Sequence, residues 1–435
     1  MSSDTPVVNP QGVRVMKRPS NLRTVILLWL TWALLMVGYQ AYARARFEPQ
    51  RPDYALFWTP NETRSNSQND KPYLMEPFLN DHVSWDSEYY ISIAVAGYDD
   101  LLMRAIPPTF SWEHPQAKLL SERPDWISMN YAFLPFYPLM MRVMAFPLRL
   151  LGLNPIATAT LAGVLVSMLG TLGAMLALYD LVRDELGEPG GLRAAFYLLI
   201  WPAGMFLAQV YTEGLFLGLS FGALALARRK RWFWAALLAA CATWTRAAGT
   251  LLLLPLVWYW WQDGGLQKLT RQFSWVEVGK LLLIASPVLA YLLWQVILGQ
   301  PFHIVEDRFF SRGLLALDQS WEAWSTALSA FLTNNLQGRA YYLVEFAAIL
   351  FGFTVCGLML KKAPIMAVYS LITIIFSLTS GVAQGMHRYV MAAPVIFMLP
   401  ARWGQNRIFD RAWTLANVLI MGVFASMFSF DFWAG

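Results

Sequence analysis

The chain has 435 residues, of which 57% are hydrophobic and only 14% charged, with a mean hydropathy of +0.42; soluble domains carry about 25% charged residues. That balance excludes a disordered chain, a disulfide scaffold and an ordinary cytosolic enzyme, and leaves a polytopic membrane protein. The net charge of +5 is absorbed by cytoplasmic loops, and the absence of zinc, helix-turn-helix, RNA-binding, GxxxxGK[ST] and GxGxxG motifs argues against nucleic acid or a nucleotide as partner.

A helical span needs about 20 mostly apolar residues. Residues 1–23, with Arg14, Lys17, Arg18 and Arg23, read as a cytoplasmic tail ahead of a first span at 24–42. The alternative is a cleaved signal peptide, since Ala41-Tyr42-Ala43 resembles a cleavage site; the long, Trp-rich run argues against it. Residues 43–154 form a large extracytoplasmic loop. Within it, 131–151 is apolar but holds Pro135, Pro138, Pro147, Arg142 and Arg149. If that segment spanned, the basic Arg228–Arg231 loop would fall outside. Laid on the outer surface as a juxtamembrane helix, it leaves every short basic loop inside.

The remaining spans are expected at 155–181, 193–210, 212–228, 232–246, 248–262 and 276–298, then, after a second outer loop at 299–339, at 340–360, 364–380, 388–403 and 411–430. The expectation is an all-α membrane protein of about eleven spans, with spans 2–7 in 155–298 and spans 8–11 in 340–435. Cys241 and Cys356 fall in apolar segments and read as core residues.

This arrangement puts all four histidines (His82, His114, His303, His387) in outer loops. Asp86, Glu88, Glu213, Arg246 and the loop holding Glu306, Asp307, Arg308 and Arg312 fall on the same side. Chemistry, if present, is extracytoplasmic. Glu345 is the nearest approach to an intramembrane acid, about one turn into its span.

Asp86 opens an apolar helical run at Ser84-Trp85-Asp86-Ser87-Glu88-Tyr89-Tyr90. An ionised carboxylate is favoured there and suits a general base, while Trp85 and the tyrosines offer flat faces for a sugar ring. Plain N-capping by Asp86 is the competing reading. Arg246 and Arg388 lie at span ends, where two guanidiniums suit a phosphate; snorkelling to lipid headgroups is the alternative. Glu213, in the turn Tyr211-Thr212-Glu213, is a substrate or metal contact or, alternatively, a cap for its span. Glu88, Tyr90, Tyr211, His387 and Tyr389 complete the candidate binding residues, with Asp86 and Glu213 the candidate catalytic pair.

Several segments together resemble the PIG-V type mannosyltransferases. Trp85-Asp86 through Tyr90 with Gly97-Tyr98 is similar to their WD-x-x-x-Y…GY signature, and Ala132–Pro138 to AFFPLYP. Trp201–Phe206 followed by Tyr211–Phe216 is similar to FPSAFFFSAVYTESLFL, Thr245–Gly249 to TRPTG, and Arg388-Tyr389 to a late RY. The matches run in family order from about 80 to 390. This chain departs from the pattern at Ser84, at Gly214 in place of Ser and at Ala247 in place of Pro.

The resemblance implies a GT-C type glycosyltransferase: a polytopic helical enzyme using a polyprenyl-phosphate sugar donor, mannose in the PIG-V relatives, at the extracytoplasmic face. It places Asp86 and Glu213 at acidic positions of the family motifs, and Arg246 and Arg388 at basic positions facing the lipid phosphate. The acceptor is a glycolipid, glycan or protein hydroxyl, and the other partners are membrane lipids. No tightly bound metal is expected, although Mg or Mn is compatible. The membrane is a bacterial plasma membrane or, in a eukaryote, the endoplasmic reticulum. The competing functions are a lipid-linked glycan flippase and a non-catalytic subunit of a membrane complex.

Overall fold

The structure, a computed structural model, describes residues 21–435 except 55, 57, 58, 273 and 334. Arg14, Lys17 and Arg18 of the expected cytoplasmic tail lie outside the described residues.

α1 (Leu22–Arg46) is a single 25-residue helix, about 37 Å long at 1.5 Å per residue and so longer than a hydrocarbon layer of about 30 Å. Leu27, Leu34 and Leu35 are exposed on one side, while Trp32, Ala33 and Met36 turn inward. An exposed leucine stripe of this length is a lipid-facing surface.

The loop that follows holds α2 (Thr59–Thr63), α3 (Ser87–Val95) and a small antiparallel sheet of β1 (Arg104–Ile106), β2 (Lys118–Leu119) and β3 (Ile127–Ser128), in the order β2-β1-β3. Ala105 is paired with Lys118 on one side and Ser128 on the other. The all-α expectation does not contain this sheet, because strands of two or three residues are too short to show alternation. α4 (Phe136–Leu148) has 13 residues, fewer than a span needs. Arg142 on α4 donates to the carbonyls of Ile93 (2.6 Å) and Ala94 (2.8 Å). It thereby satisfies the open end of α3 and locks the two helices together.

α5 (Pro155–Leu199) starts as its sequence dictates: Asn154 accepts from Ala157 N at 2.9 Å, with Pro155 in the first turn. Gly187 (φ 71°, ψ 178°) breaks it into two runs. The expected span 193–210 is not one helix. It gives way after Leu199 to a 3₁₀ turn, Pro202–Ala208, and α6 (Glu213–Arg228) then leaves at 98° to that turn.

The backbones of α5 and α6 touch. A Cβ on Gly214 would lie 2.1 Å from the Ser167 carbonyl oxygen, and one on Gly218 2.3 Å from that of Gly170. Small residues permit this approach, which accounts for the departure from Ser at 214.

α7 (Trp232–Thr245) and α8 (Leu253–Gln262) are joined through a 3₁₀ turn, Ala247–Leu252. α9 (Gly265–Gln272), α10 (Trp275–Ile284) and α11 (Ser286–Ile304) follow, and α11 runs into a π-helical turn at Val305–Phe309. The expected second outer loop contains α12 (Leu317–Thr333). α13 (Leu336–Met359) begins at the Asn335 cap, which accepts from Gly338 N at 2.8 Å. Glu345 therefore sits nine residues into its helix, deeper than the single turn expected. α14 (Pro364–Leu378), α15 (Met386–Tyr389), α16 (Val395–Trp403) and α17 (Arg407–Ser429) complete the chain.

The protein is an integral, multi-pass, mainly helical membrane protein. Among the described residues, five helices are long and apolar enough to cross a membrane, or six if the bent pair ending in α6 counts as one. The expected total of about eleven is not reached by whole-length helices, because α7, α14 and the 386–403 segment are short or broken.

The short basic loops gather at one end. Arg228, Lys230 and Lys362 line a pocket of about 480 Å³ with Glu185, and Arg402 pairs with the same Glu185. Acids answer the others: Arg228 pairs with Asp184, Arg229 with Asp180 and Lys230 with Asp263.

Candidate active site

A single cavity of about 1500 Å³ is lined by Trp85, Asp86, Glu88, Tyr90, Tyr211, Glu213, Arg246, Arg388 and Tyr389. Its wall comes from segments far apart in sequence: the start of α3, the turn before α6, the end of α7, and α15.

Asp86 stands where α3 begins, but it is not a cap. Its backbone is already helical (φ −58°, ψ −20°) and its side chain makes no capping bond. Ser87 Oγ instead takes the amide of Ser84 at 3.1 Å, which leaves the Asp86 carboxylate for the cavity. Burial pushes that carboxyl above the usual aspartate range. Arg388 and then Arg312 pull it back, while Glu213 adds to the rise.

Tyr211, expected as a binding residue, is a brace. Its hydroxyl donates to Ser84 O at 3.2 Å and accepts from Asp86 N at 3.3 Å. Trp85 has φ +55°, a conformation a bulky side chain adopts only when its surroundings hold it there.

Glu213 is clamped between two cations. Its Oε1 is 2.5 Å from Arg246 Nη1 and 3.2 Å from Arg388 Nε. The second contact has ion-pair distance without hydrogen-bond alignment: Arg388 Nε and Nη1 are buried with no hydrogen-bond partner. Glu213 Oε1 therefore holds the two guanidiniums in place.

Arg246 is placed by the end of α7, where the chain turns extended (φ −150°, ψ 137°). The turn after it folds back so closely that a Cβ on Gly249 would lie 2.4 Å from Thr243 N.

Tyr389 is ringed by cations. Its hydroxyl accepts from Arg312 Nη2 at 2.8 Å and Arg388 Nη2 at 2.9 Å, and Arg246 lies 4.9 Å from its ring centre. Glu88 pairs with Arg104 at 2.7 Å on the same wall.

His387, expected among the binding residues, does not line the cavity, because α15 turns it the other way. Its Nε2 donates to the Ala434 carbonyl at 2.8 Å and its Nδ1 faces Glu345 at 3.4 Å. Of the other histidines, His303 lines the cavity, while His82 is buried against Ala208 and Gln209.

Arg312, Arg104 and Trp433 also line the cavity and were not among the candidate site residues. Arg312 stood in a charged loop that offered a signal; Arg104 and Trp433 carried none.

Among the described residues, no three His, Cys, Asp or Glu side chains gather closely enough to hold a metal. Asp86 and Glu213 sit among the guanidiniums of Arg246, Arg312 and Arg388, whose charge disfavours a cation beside these two carboxylates.

The family described as mannosyltransferase (PIG-V) has a sequence model that matches residues 110–302. The resemblance to PIG-V mannosyltransferases is shown over this stretch. It takes in Tyr211, Glu213 and Arg246 but not Asp86 or Arg388. The GPI alpha-1,6-mannosyltransferase 2 of Cricetulus griseus is 32% identical over 182 residues, 40% of this chain and 31% of that protein. The Homo sapiens protein of the same name is 32% identical over 179 residues, again 40% and 31%. The chain thus spans about a third of the length of the curated relatives it matches.

Among solved structures, ArnT from Cupriavidus metallidurans bound to undecaprenyl phosphate aligns over 93% of this chain and 76% of its own, at 13% identity and a TM-score of 0.43. The oligosaccharyltransferase of Archaeoglobus fulgidus in the apo form aligns over 94% and 56%, at 13% and 0.44. Likenesses this loose do not bear on function.

Proposed function

We propose that this chain is a glycosyltransferase. It moves a sugar, mannose on the PIG-V likeness, from a polyprenyl-phosphate donor to an acceptor hydroxyl at the extracytoplasmic face, with inversion at the anomeric carbon. One observation carries the reading: the carboxylate of Asp86 and the guanidiniums of Arg246, Arg312 and Arg388 share the wall of one cavity.

Asp86 takes the acceptor proton as the acceptor oxygen bonds to the anomeric carbon. The bond from that carbon to the phosphate oxygen breaks, and the phosphate keeps the electron pair. The guanidiniums stabilise the charge it gains. The unpartnered Nε and Nη1 of Arg388 are donors of the kind an oxyanion satisfies. Glu213 sets the angle of two arginines, Tyr211 fixes the backbone of Asp86, and Trp85 with Tyr90 gives the sugar aromatic walls. The three arginines supply the positive charge, and no step uses a metal.

The basic loops clustered at the opposite end support a cytoplasmic placement for that end. A flippase reading finds less support. Glu345, the acid deep in α13, is tied to Gly385 N at 2.7 Å, His387 N at 3.2 Å and Tyr341 Oη at 2.6 Å, and so is not set on an ion path.

The test uses the full chain in liposomes with polyprenyl-phosphate mannose labelled in the sugar. Acceptor-dependent release of polyprenyl phosphate is expected, and its loss in folded Asp86→Asn and Asp86→Ala variants. Equal turnover in both variants removes Asp86 as the base.

A further inference from the structure

The segment after α17, residues 430–435, reaches both halves of the cavity wall. On one side Asp431, 5% exposed, gathers four donors. Ser84 Oγ is at 2.6 Å, Gln68 Nε2 at 2.9 Å, Arg51 Nη1 at 3.1 Å and Ser67 Oγ at 3.5 Å. The shortest of these goes to Ser84, two residues before Asp86. Trp433 meets Trp85 edge-on at 4.7 Å. On the other side Trp433 Nε1 donates to Tyr341 Oη at 3.1 Å, and the Ala434 carbonyl accepts from His387 Nε2 at 2.8 Å. His387 and Tyr341 converge on Glu345, which holds the turn carrying Arg388.

We propose that Asp431 is a positioning residue for Asp86, acting through Ser84, and that residues 431–434 strap the carboxylate of the site to its Arg388 turn. The role rests on the transferase reading. Ser84 is held at all three of its polar atoms: the amide by Ser87 Oγ, the carbonyl by Tyr211 Oη and the hydroxyl by Asp431. The next residue, Trp85, has a left-handed backbone (φ +55°), which only external restraint keeps in place. Asp431 and Trp433 provide that restraint from a segment 347 residues away in sequence. Without the Asp431 acceptor, Ser84 loses its hydroxyl anchor and Trp85 relaxes toward an ordinary backbone. The Asp86 carboxylate then moves relative to the arginines.

The experiment compares wild type, Asp431→Ala, Ser84→Ala and the double variant in the full chain. It measures release of polyprenyl phosphate from polyprenyl-phosphate mannose against pH. Asp431→Ala, which removes the acceptor, is expected to lower kcat on the order of tenfold, as small misplacements of a reacting group do. The donor KM should stay within about twofold, and the acid limb of the rate should move, because Asp86 sees its arginines at new distances. The double variant should be no slower than Asp431→Ala alone, since the Ser84 bond is already lost in that variant. Unchanged kcat, or a loss seen only in melting temperature with the pH profile fixed, overturns the proposal.

If the wild type shows no turnover, the transferase reading fails, and the near-ultraviolet circular dichroism of the Trp85–Trp433 pair still decides the strap. Asp431→Ala should lose the band that Trp433→Phe loses. Retention of that band overturns the strap.

Discussion

Glu213 Oε1 lies 2.5 Å from Arg246 Nη1, with Glu213 almost fully buried. The same oxygen is 3.2 Å from Arg388 Nε, so one carboxylate faces two guanidiniums. Removing one member of a buried charged group costs about 3–5 kcal/mol. Glu213→Gln should therefore lower the melting temperature clearly, and inorganic phosphate in the millimolar range should recover part of the loss by filling the role of the missing anion. A thermal-shift titration with phosphate, against chloride at equal ionic strength, reads both effects; a variant as stable as wild type refutes the clamp.

Burial raises the Asp86 carboxyl above the ordinary aspartate range. A base must be ionised, so the rate should fall as pH drops through a value above the ordinary aspartate figure of about 3.9. Neutralising Arg312 should move that limb further up, since its charge holds the carboxyl down. For stability the direction reverses. A folded pKa above the unfolded one contributes stability below the unfolded value, and that contribution is lost as pH rises through the folded value. Asp86→Asn should thus melt higher than wild type at neutral pH, the gap closing below about pH 4. Paired pH–rate and pH–melting curves check this.

Arg312 donates to Tyr389 Oη at 2.8 Å and lines the cavity beside Arg388. Arg312→Gln should raise the donor KM roughly tenfold, the equivalent of one charge-assisted hydrogen bond of about 1.5 kcal/mol, while the protein stays folded. Initial rates against donor concentration measure it, and an unchanged KM removes Arg312 from the phosphate.

Gly214 sits against the Ser167 carbonyl, where a Cβ would be 2.1 Å away. Gly214→Ala should destabilise by at least about 1–3 kcal/mol through overpacking, and Gly214→Ser, the residue common in the family motif, should do no better. Detergent melting of the two variants tests it; a neutral serine shows that the helices can part.

Sidedness follows from the basic loops. A cysteine at exposed Lys230 should label only from the cytoplasmic side, and one at exposed Glu113 only from the other. Labelling of both from one side overturns the arrangement of loops.

The readable parts of the sequence are those where hydropathy alone marks a span: the runs expected at 24–42, 155–181, 340–360 and 411–430 fall on the long helices α1, α5, α13 and α17. The starts of α13 and α17 were less legible, because Asn335 and Asn406 cap them ahead of the expected apolar runs. The break at Leu199–Pro202 was hidden because the 3₁₀ turn after it is as apolar as the helix before it. Asp86 stood out because it opens an apolar helical run, Arg246 and Arg388 because each charge lies at the end of an apolar segment, and all three line one cavity. His387 misled because a polar residue in an outer turn reads the same whether it faces the cavity or the protein. Asp431 carried no local signal, since its meaning lies in a partner 347 residues distant.

The bare contact between α5 and α6 reaches beyond stability. With no side chains between the two backbones, the height of Glu213 is fixed by main-chain geometry, and rotamer changes nearby cannot shift it. The end of the cavity at Glu213, Arg246 and Arg388 is then insulated from drift in the aromatic walls and the outer loop. On the proposed transferase reading, those walls can change to suit another sugar or acceptor while the end facing the phosphate stays unchanged.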